Sequence, residues 1–210
     1  GTLGDFYSRS DLKRDSNGAV YINEKGEIAK EPVTDVANYI KLGSVLPDAN
    51  MAWRNDFRWR NFNFGFMVSA RLGGVVFSRT QSMLDYYGVS EATAAARDAG
   101  GVMINGNDLV DANKWYTAIG GGNSVPQYYT YSATNVRLQE ASIGYTIPKK
   151  TLGDICEITL SLVGRNLWMI YNKAPFDPET IATTGNYYQG VDYFMSPSMR
   201  NIGFNLRVKF

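Results

Sequence analysis

The sequence contains no histidine and one cysteine, Cys156. Without histidine, Ser-His-Asp and Cys-His nucleophile systems and all His-ligated metal sites are excluded. A single cysteine excludes an internal disulfide framework and any Cys-cluster metal site. Charge of one sign is also lacking: 21 basic residues face 20 acidic ones, and no block of like charges marks a nucleic-acid tail or a polybasic arm. No run of eighteen apolar residues is present, so a membrane helix is excluded. No signal peptide opens the chain at Gly1, and the start reads as an internal cut. Membrane residence is left open only to a closed barrel, because hydrocarbon tolerates no unpaired backbone polar groups.

What the chain does have is alternation. Ile202, Phe204, Leu206, Val208 and Phe210 alternate with Gly203, Asn205, Arg207 and Lys209, a period-two strand with one apolar face. A second strand is predicted over about 155–167, with Ile158, Leu160 and Leu162 opposite Glu157, Thr159, Ser161 and Arg165. Val136 to Ile147 alternates as well, but its apolar phase switches from even to odd positions, which predicts a β-bulge near Gln139 and Glu140. Met51, Trp53, Phe57 and Trp59, then Phe62, Phe64, Phe66, Val68, Ala70 and Leu72, form two arms of a hairpin turned at Arg60 and Asn61.

Long polar segments, 1–49, 73–135 and 168–198, separate these strands on one side, while the turns at 60–61 and about 148–154 are short. Five antiparallel strands then put both short turns at one end and every long segment at the other. Short periplasmic turns with long extracellular loops are the pattern of outer-membrane barrels. Trp59, Phe62, Tyr145 and Phe210 fall at the short-turn ends of their strands, where an interfacial aromatic girdle is expected. In the middle loop, Ser90 is a candidate cap for a short helix over Glu91 to Asp98 closed by Gly100 and Gly101.

Several segments, taken in order, carry a family resemblance. They are Lys41 to Pro47, Phe64 to Gly74 with its Gly-Gly pair, Leu84 to Ser90 with the following Ala-Arg-Asp and Gly-Gly-Val, Val136 to Pro148, Gly164 to Leu167, Phe176 to Glu179, and the final strand. Together they resemble the C-terminal end of SusC/RagA-type TonB-dependent transporters, outer-membrane importers of large nutrients in Bacteroidetes. The resemblance implies an all-β fold: the last five antiparallel strands of a barrel of about 22 strands with a plugged lumen, long extracellular loops, and one loop carrying a short helix. It implies a nutrient-oligomer cargo (glycan or peptide), a SusD-like surface lipoprotein as partner, and TonB and the plug engaged through an N-terminal region outside this chain. It further implies that Phe210 is the terminal aromatic read by the barrel-assembly machinery.

Neither an enzymatic activity nor a cofactor is expected. Asp177 and Glu179 flank Pro178 and Asp108 lies near Asp111, but such pairs suit turns better than hydrolysis. Asp15 to Gly18 lacks the remaining ligands of a calcium loop and reads as a turn with Gly18 at positive φ. Gly120 to Ser124 lacks the Lys-Ser/Thr of a phosphate loop and reads as a flexible loop tip. Loop aromatics, Tyr86, Tyr87, Trp115, Tyr116, Tyr128, Tyr129, Tyr187, Tyr188, Tyr193 and Phe194, are candidates for contact with ligand or lid, or alternatively for the loops' own internal core. The polar strand phase gives the lumen-facing candidates Asn63, Ser69, Arg71, Glu157, Thr159, Ser161, Arg165, Asn205, Arg207 and Lys209. The competing architecture is a soluble β-sandwich carbohydrate-binding module, in which the apolar faces would seal against each other.

Overall fold

The computed structural model describes residues 4–181 and 188–210. The chain divides into two compact units: one formed by 47–73, 133–180 and 196–210, the other by 1–46, 74–132 and 181–195.

The first unit is a five-stranded antiparallel sheet. Its strands are β1 (Ala49–Trp59), β2 (Phe62–Leu72), β3 (Asn135–Ile147), β4 (Glu157–Asn172) and β5 (Asn201–Lys209), in the spatial order β5-β4-β3-β2-β1. Each strand pairs with its sequence neighbour, the simplest route for a chain that turns back on itself. The β1–β2 hairpin runs in unbroken register from Ala49↔Leu72 to Trp59↔Phe62, and Arg60 takes the left-handed conformation (φ 53°) in its two-residue turn. Between β3 and β4 a one-turn helix, Lys149–Leu152, ends on Gly153 at φ 68°. Both tight connections lie at one end of the sheet, as the loop lengths predict.

The phase switch in β3 has the expected cause: the register against both neighbours slips between Leu138 and Glu140. The bulge keeps Val136 and Leu138 on the same face as Ala141, Ile143 and Tyr145. In β4 the strand runs to Asn172, beyond the end expected near Leu167, because a second irregularity at Asn166 (φ 53°) lets pairing resume at Trp168↔Leu138.

The second unit is built from short elements that the alternation does not announce. Three helices of eight residues each, α1 (Arg79–Tyr86), α2 (Glu91–Asp98) and α3 (Ala112–Ile119), accompany several short strands. Of these only α2 is expected from the sequence, capped by Ser90 as predicted. The other two start equally well: the Ser78 hydroxyl accepts from Gln81 N–H and the Asp111 carboxylate from Lys114 N–H, both at 3.1 Å. A three-stranded sheet joins Val75–Ser78 to Thr130–Ser132 and to the short strand Val191–Asp192.

These pieces share one core of Leu12, Val20, Phe77, Ile104, Val110, Trp115, Ile119, Val125 and Tyr129. Gly120 and Gly121 are buried within it, not at a flexible tip. A side chain at Gly120 would strike the carbonyls of Ser82 and Tyr116 at 2.7 Å, and one at Gly121 the Tyr86 ring. Asp15 to Gly18 is the turn expected, with Gly18 at φ 83°.

Candidate functional site

No helix among the described residues is long and apolar enough to cross a membrane. The sheet, however, has two chemically opposite faces. One carries Trp53, Phe57, Trp59, Phe62, Phe64, Phe66, Leu138, Ile143, Tyr145, Leu160, Leu162, Phe204 and Leu206, aligned across all five strands by the register. This face is open: Trp59 is 68% exposed and Phe204 81%. A sandwich would cover these side chains with a second sheet, so the competing architecture fails on this face. Its aromatics pack on one another, Trp59 against Phe62 at 6.3 Å, Phe62 against Tyr145 at 4.9 Å and Trp53 against Phe66 at 5.4 Å. Phe210, also exposed, follows β5 in the apolar phase.

The other face collects the polar residues. Asn63, Arg71, Glu157, Arg165 and Arg207 all lie on it, as the alternation predicts. Its side chains are cross-linked along the strand pairs. Asn63 Nδ2 donates to Thr146 Oγ1 (3.1 Å), and Thr146 Oγ1 lies 3.0 Å from Thr159 Oγ1. Arg165 Nε donates to Glu140 Oε2 (3.1 Å), whose other oxygen lies 3.9 Å from Arg54. Arg165 therefore already has a carboxylate within the sheet. These pairs are open to water, so each contributes little alone.

A deeper cluster on this face escapes sequence reasoning. Arg137 of β3, its side chain 3% exposed, donates from Nη2 to Asp177 Oδ1 (2.7 Å) and lies 3.4 Å from Glu179 Oε2. Its Nη1 donates to Asn166 Oδ1 (3.0 Å) and Ser198 Oγ (3.3 Å). Ser198 Oγ in turn donates to the second Asp177 oxygen, and the Glu179 N–H donates to Oδ1 at 3.1 Å. Burial alone would raise the Asp177 pKa, but the hydrogen bonds from Ser198, Arg137 and the Glu179 amide outweigh it and hold the carboxyl below its usual range. Asp177 and Glu179 are thus ligands of an arginine, not an acid/base pair. One signal was available: a lone Arg in the inward phase of β3 needs a partner. Its partners lie 29 to 61 residues away and follow no periodic pattern.

The loop aromatics divide. Trp115 (9% exposed) and Tyr129 (2%) are core residues and are withdrawn as ligand contacts. Trp115 packs edge-on against the half-buried Tyr128 at 5.5 Å. Burial and the nearby Asp85 carboxylate push the Tyr129 phenol well above its ordinary pKa and keep it neutral. Tyr86, Tyr87, Tyr188, Tyr193 and Phe194 remain on the surface, with Tyr87 67% exposed. Tyr86 with Tyr87 and Tyr193 with Phe194 form edge-on pairs at 5.2 and 5.3 Å, and the Arg79 guanidinium lies 5.9 Å over the Tyr193 ring. Tyr187 lies outside the described residues. Among the described residues no three acidic or thiol groups converge as a metal site requires.

No family model matches the chain. It is similar to TonB-dependent receptor P3 of Formosa agariphila, 25% identical over 177 residues that cover 80% of this chain and 17% of the relative. TonB-dependent receptor P26 of the same organism is 26% identical over 204 residues, 92% of this chain and 20% of the relative. The chain thus spans about a fifth of the length of the curated relatives it matches. The fold is that of structures of the RagAB peptide importer. The closed-closed state superposes with a TM-score of 0.63 over 99% of this chain and 24% of that one, the open-open state with 0.65 over 98% and 22%, both at 12% identity. The chain is thus similar in sequence to part of TonB-dependent receptors and shares its fold with part of the RagAB importer. The five-stranded antiparallel sheet is consistent with a piece of barrel wall.

Proposed function

We propose that this chain belongs to a receptor that imports nutrient oligomers, glycan or peptide, in a TonB-dependent manner, and that it supplies wall and extracellular loops near the C-terminal end of the receptor's barrel. The observation that carries this reading is the five-strand register, which gathers one continuous open apolar face and one cross-linked polar face. A sheet so divided suits lipid on one side and a polar lumen on the other. In this reading Asn63, Arg71, Glu157, Arg165 and Arg207 face the lumen, and the turns at Arg60 and Lys149 to Gly153 face the periplasm.

The surface aromatics Tyr86, Tyr87, Tyr188 and Tyr193 are then contacts for the cargo or for a SusD-like lipoprotein lid. Paired rings offer flat faces to sugar rings and apolar peptide side chains. Support for such a lid, and for the peptide alternative among the cargoes, comes from the similarity to the RagAB peptide importer. The test is uptake of labelled peptide and glycan oligomers by cells carrying the intact receptor, with TonB functional or inactivated. TonB-dependent accumulation of one class is expected. Equal accumulation of both with and without TonB overturns the proposal.

A further inference from the structure

At the short-turn end of the sheet, one cation is held against the apolar face and two more lie in the adjoining turn. Arg60, exposed and held in a left-handed turn, lays its guanidinium 5.6 Å over the Trp59 ring. Trp59 belongs to the open apolar face, so this charge sits beside the apolar surface and not on the polar one. The next connection adjoins it: Thr146 N–H donates to the Asn61 carbonyl at 2.8 Å, and Asn61 Nδ2 reaches the Tyr145 hydroxyl at 3.5 Å. Pro148, Lys149 and Lys150 follow at once, with Lys150 exposed. Lys209 closes the same end, paired in register with Glu157.

Of the six basic residues in the segments 58–61, 147–157 and 207–210, Arg58, Arg207 and Lys209 lie in the polar phase, which leaves Arg60, Lys149 and Lys150 in the turns, against Asp154 and Glu157. At the opposite end Arg137 is neutralised by Asp177. Trp59, Phe62 and Tyr145 stack directly beside the basic turns. Rings of this kind sit at headgroup depth in a bilayer, and a guanidinium lying over one is well placed to meet a phosphate while its stem stays in apolar surroundings.

We propose that this end of the sheet is a binding surface for anionic phospholipid, with Arg60, Lys149 and Lys150 engaging the headgroup phosphate and the Trp59–Phe62–Tyr145 cluster lying along the acyl chains. The inference rests on the reading that the apolar face meets lipid. Each basic residue near a charged headgroup layer contributes roughly a fivefold preference. Removing three should cost the preference on the order of a hundredfold.

The experiment compares the intact receptor with its R60Q/K149Q/K150Q variant in vesicles of phosphatidylcholine containing a minor fraction of phosphatidylglycerol. Retained lipid is then identified by native mass spectrometry. The expected result is selective retention of phosphatidylglycerol by the wild type, its loss in the variant, and indifference to excess inorganic phosphate. Equal retention by the variant overturns the lipid surface while leaving the membrane reading intact. Displacement by inorganic phosphate overturns it in favour of a free-anion site. Failure of the receptor to enter these vesicles overturns the membrane reading itself.

Discussion

The two units of this chain use the same residue types in opposite ways. In the sheet, Trp53, Phe57, Trp59 and Phe204 point outward and stay uncovered, while the residues most fully withdrawn from water include Arg137. In the loop unit, Trp115 and Tyr129 turn inward with Leu12, Val76 and Val125 beneath short helices and strands. The sheet secures its backbone groups through ladder hydrogen bonds, so it needs no apolar core where hydrocarbon takes its place. The loop unit faces water and must bury its apolar surface to offset the entropy of ordering long segments. The same aromatic residue therefore marks an outer surface in one unit and a core in the other.

The largest break in this contrast should come from Trp115→Ala in the intact receptor. Loss of a buried indole costs roughly 4–5 kcal/mol. Hydrogen exchange should then rise across 74–132 and leave β1 to β5 protected.

Arg137→Ala should cost roughly 3–4 kcal/mol, because it leaves the largely covered Asp177 carboxylate without its cation. The expected signature is increased exchange and protease cleavage at 173–180, with the β1–β2 hairpin unaffected. In the opposite sense, Leu162→Arg on the open face should destabilise the lipid-embedded barrel by about 3 kcal/mol, whereas Thr159→Arg on the polar face should change little. Urea unfolding in lipid vesicles separates the two. Equal costs would mean that the faces are not divided between lipid and water.

A subtler difference is pH dependence. Asp177 has a folded pKa below its unfolded value, so its contribution is fully present above the ordinary carboxylate pKa of about 4 and is lost as pH falls through the lower folded value. Protection of 173–180 should therefore hold from neutral pH down to about 5 and fall only in stronger acid. Arg137→Ala, which removes one of the groups that lower the Asp177 pKa, should move the loss of protection to higher pH. The smallest effect is expected for Tyr87→Ala, under about 0.5 kcal/mol in stability. Any loss it causes in cargo or lid binding would then be separable from folding.

How much was legible in advance follows the same division. Strand faces, the hairpin turn at Arg60 and the bulge at Gln139 and Glu140 were all readable, because a period of two couples each residue to the next along the strand. Even Asn63, Arg71, Glu157, Arg165 and Arg207 fall on one face for that reason alone. Among the helices of the loop unit only α2 stood out. The Ser78–Gln81 and Asp111–Lys114 caps were present to be read, and Ala112, Trp115 and Ile119 carry a helical spacing. That spacing was obscured by its shortness, since eight residues form no stable helix without tertiary support.

The sequence by itself determined the period, and with it the two faces of the sheet, the side of every short turn and the family resemblance. Tertiary structure decided which loop aromatics are core and which are surface, and it brought Asp177, Glu179 and Ser198 to Arg137 across 40 to 61 positions. The physical reason is range. Alternation is a local property of an extended backbone, whereas burial of Trp115 or pairing of Arg137 depends on segments that meet only after the chain has closed long loops.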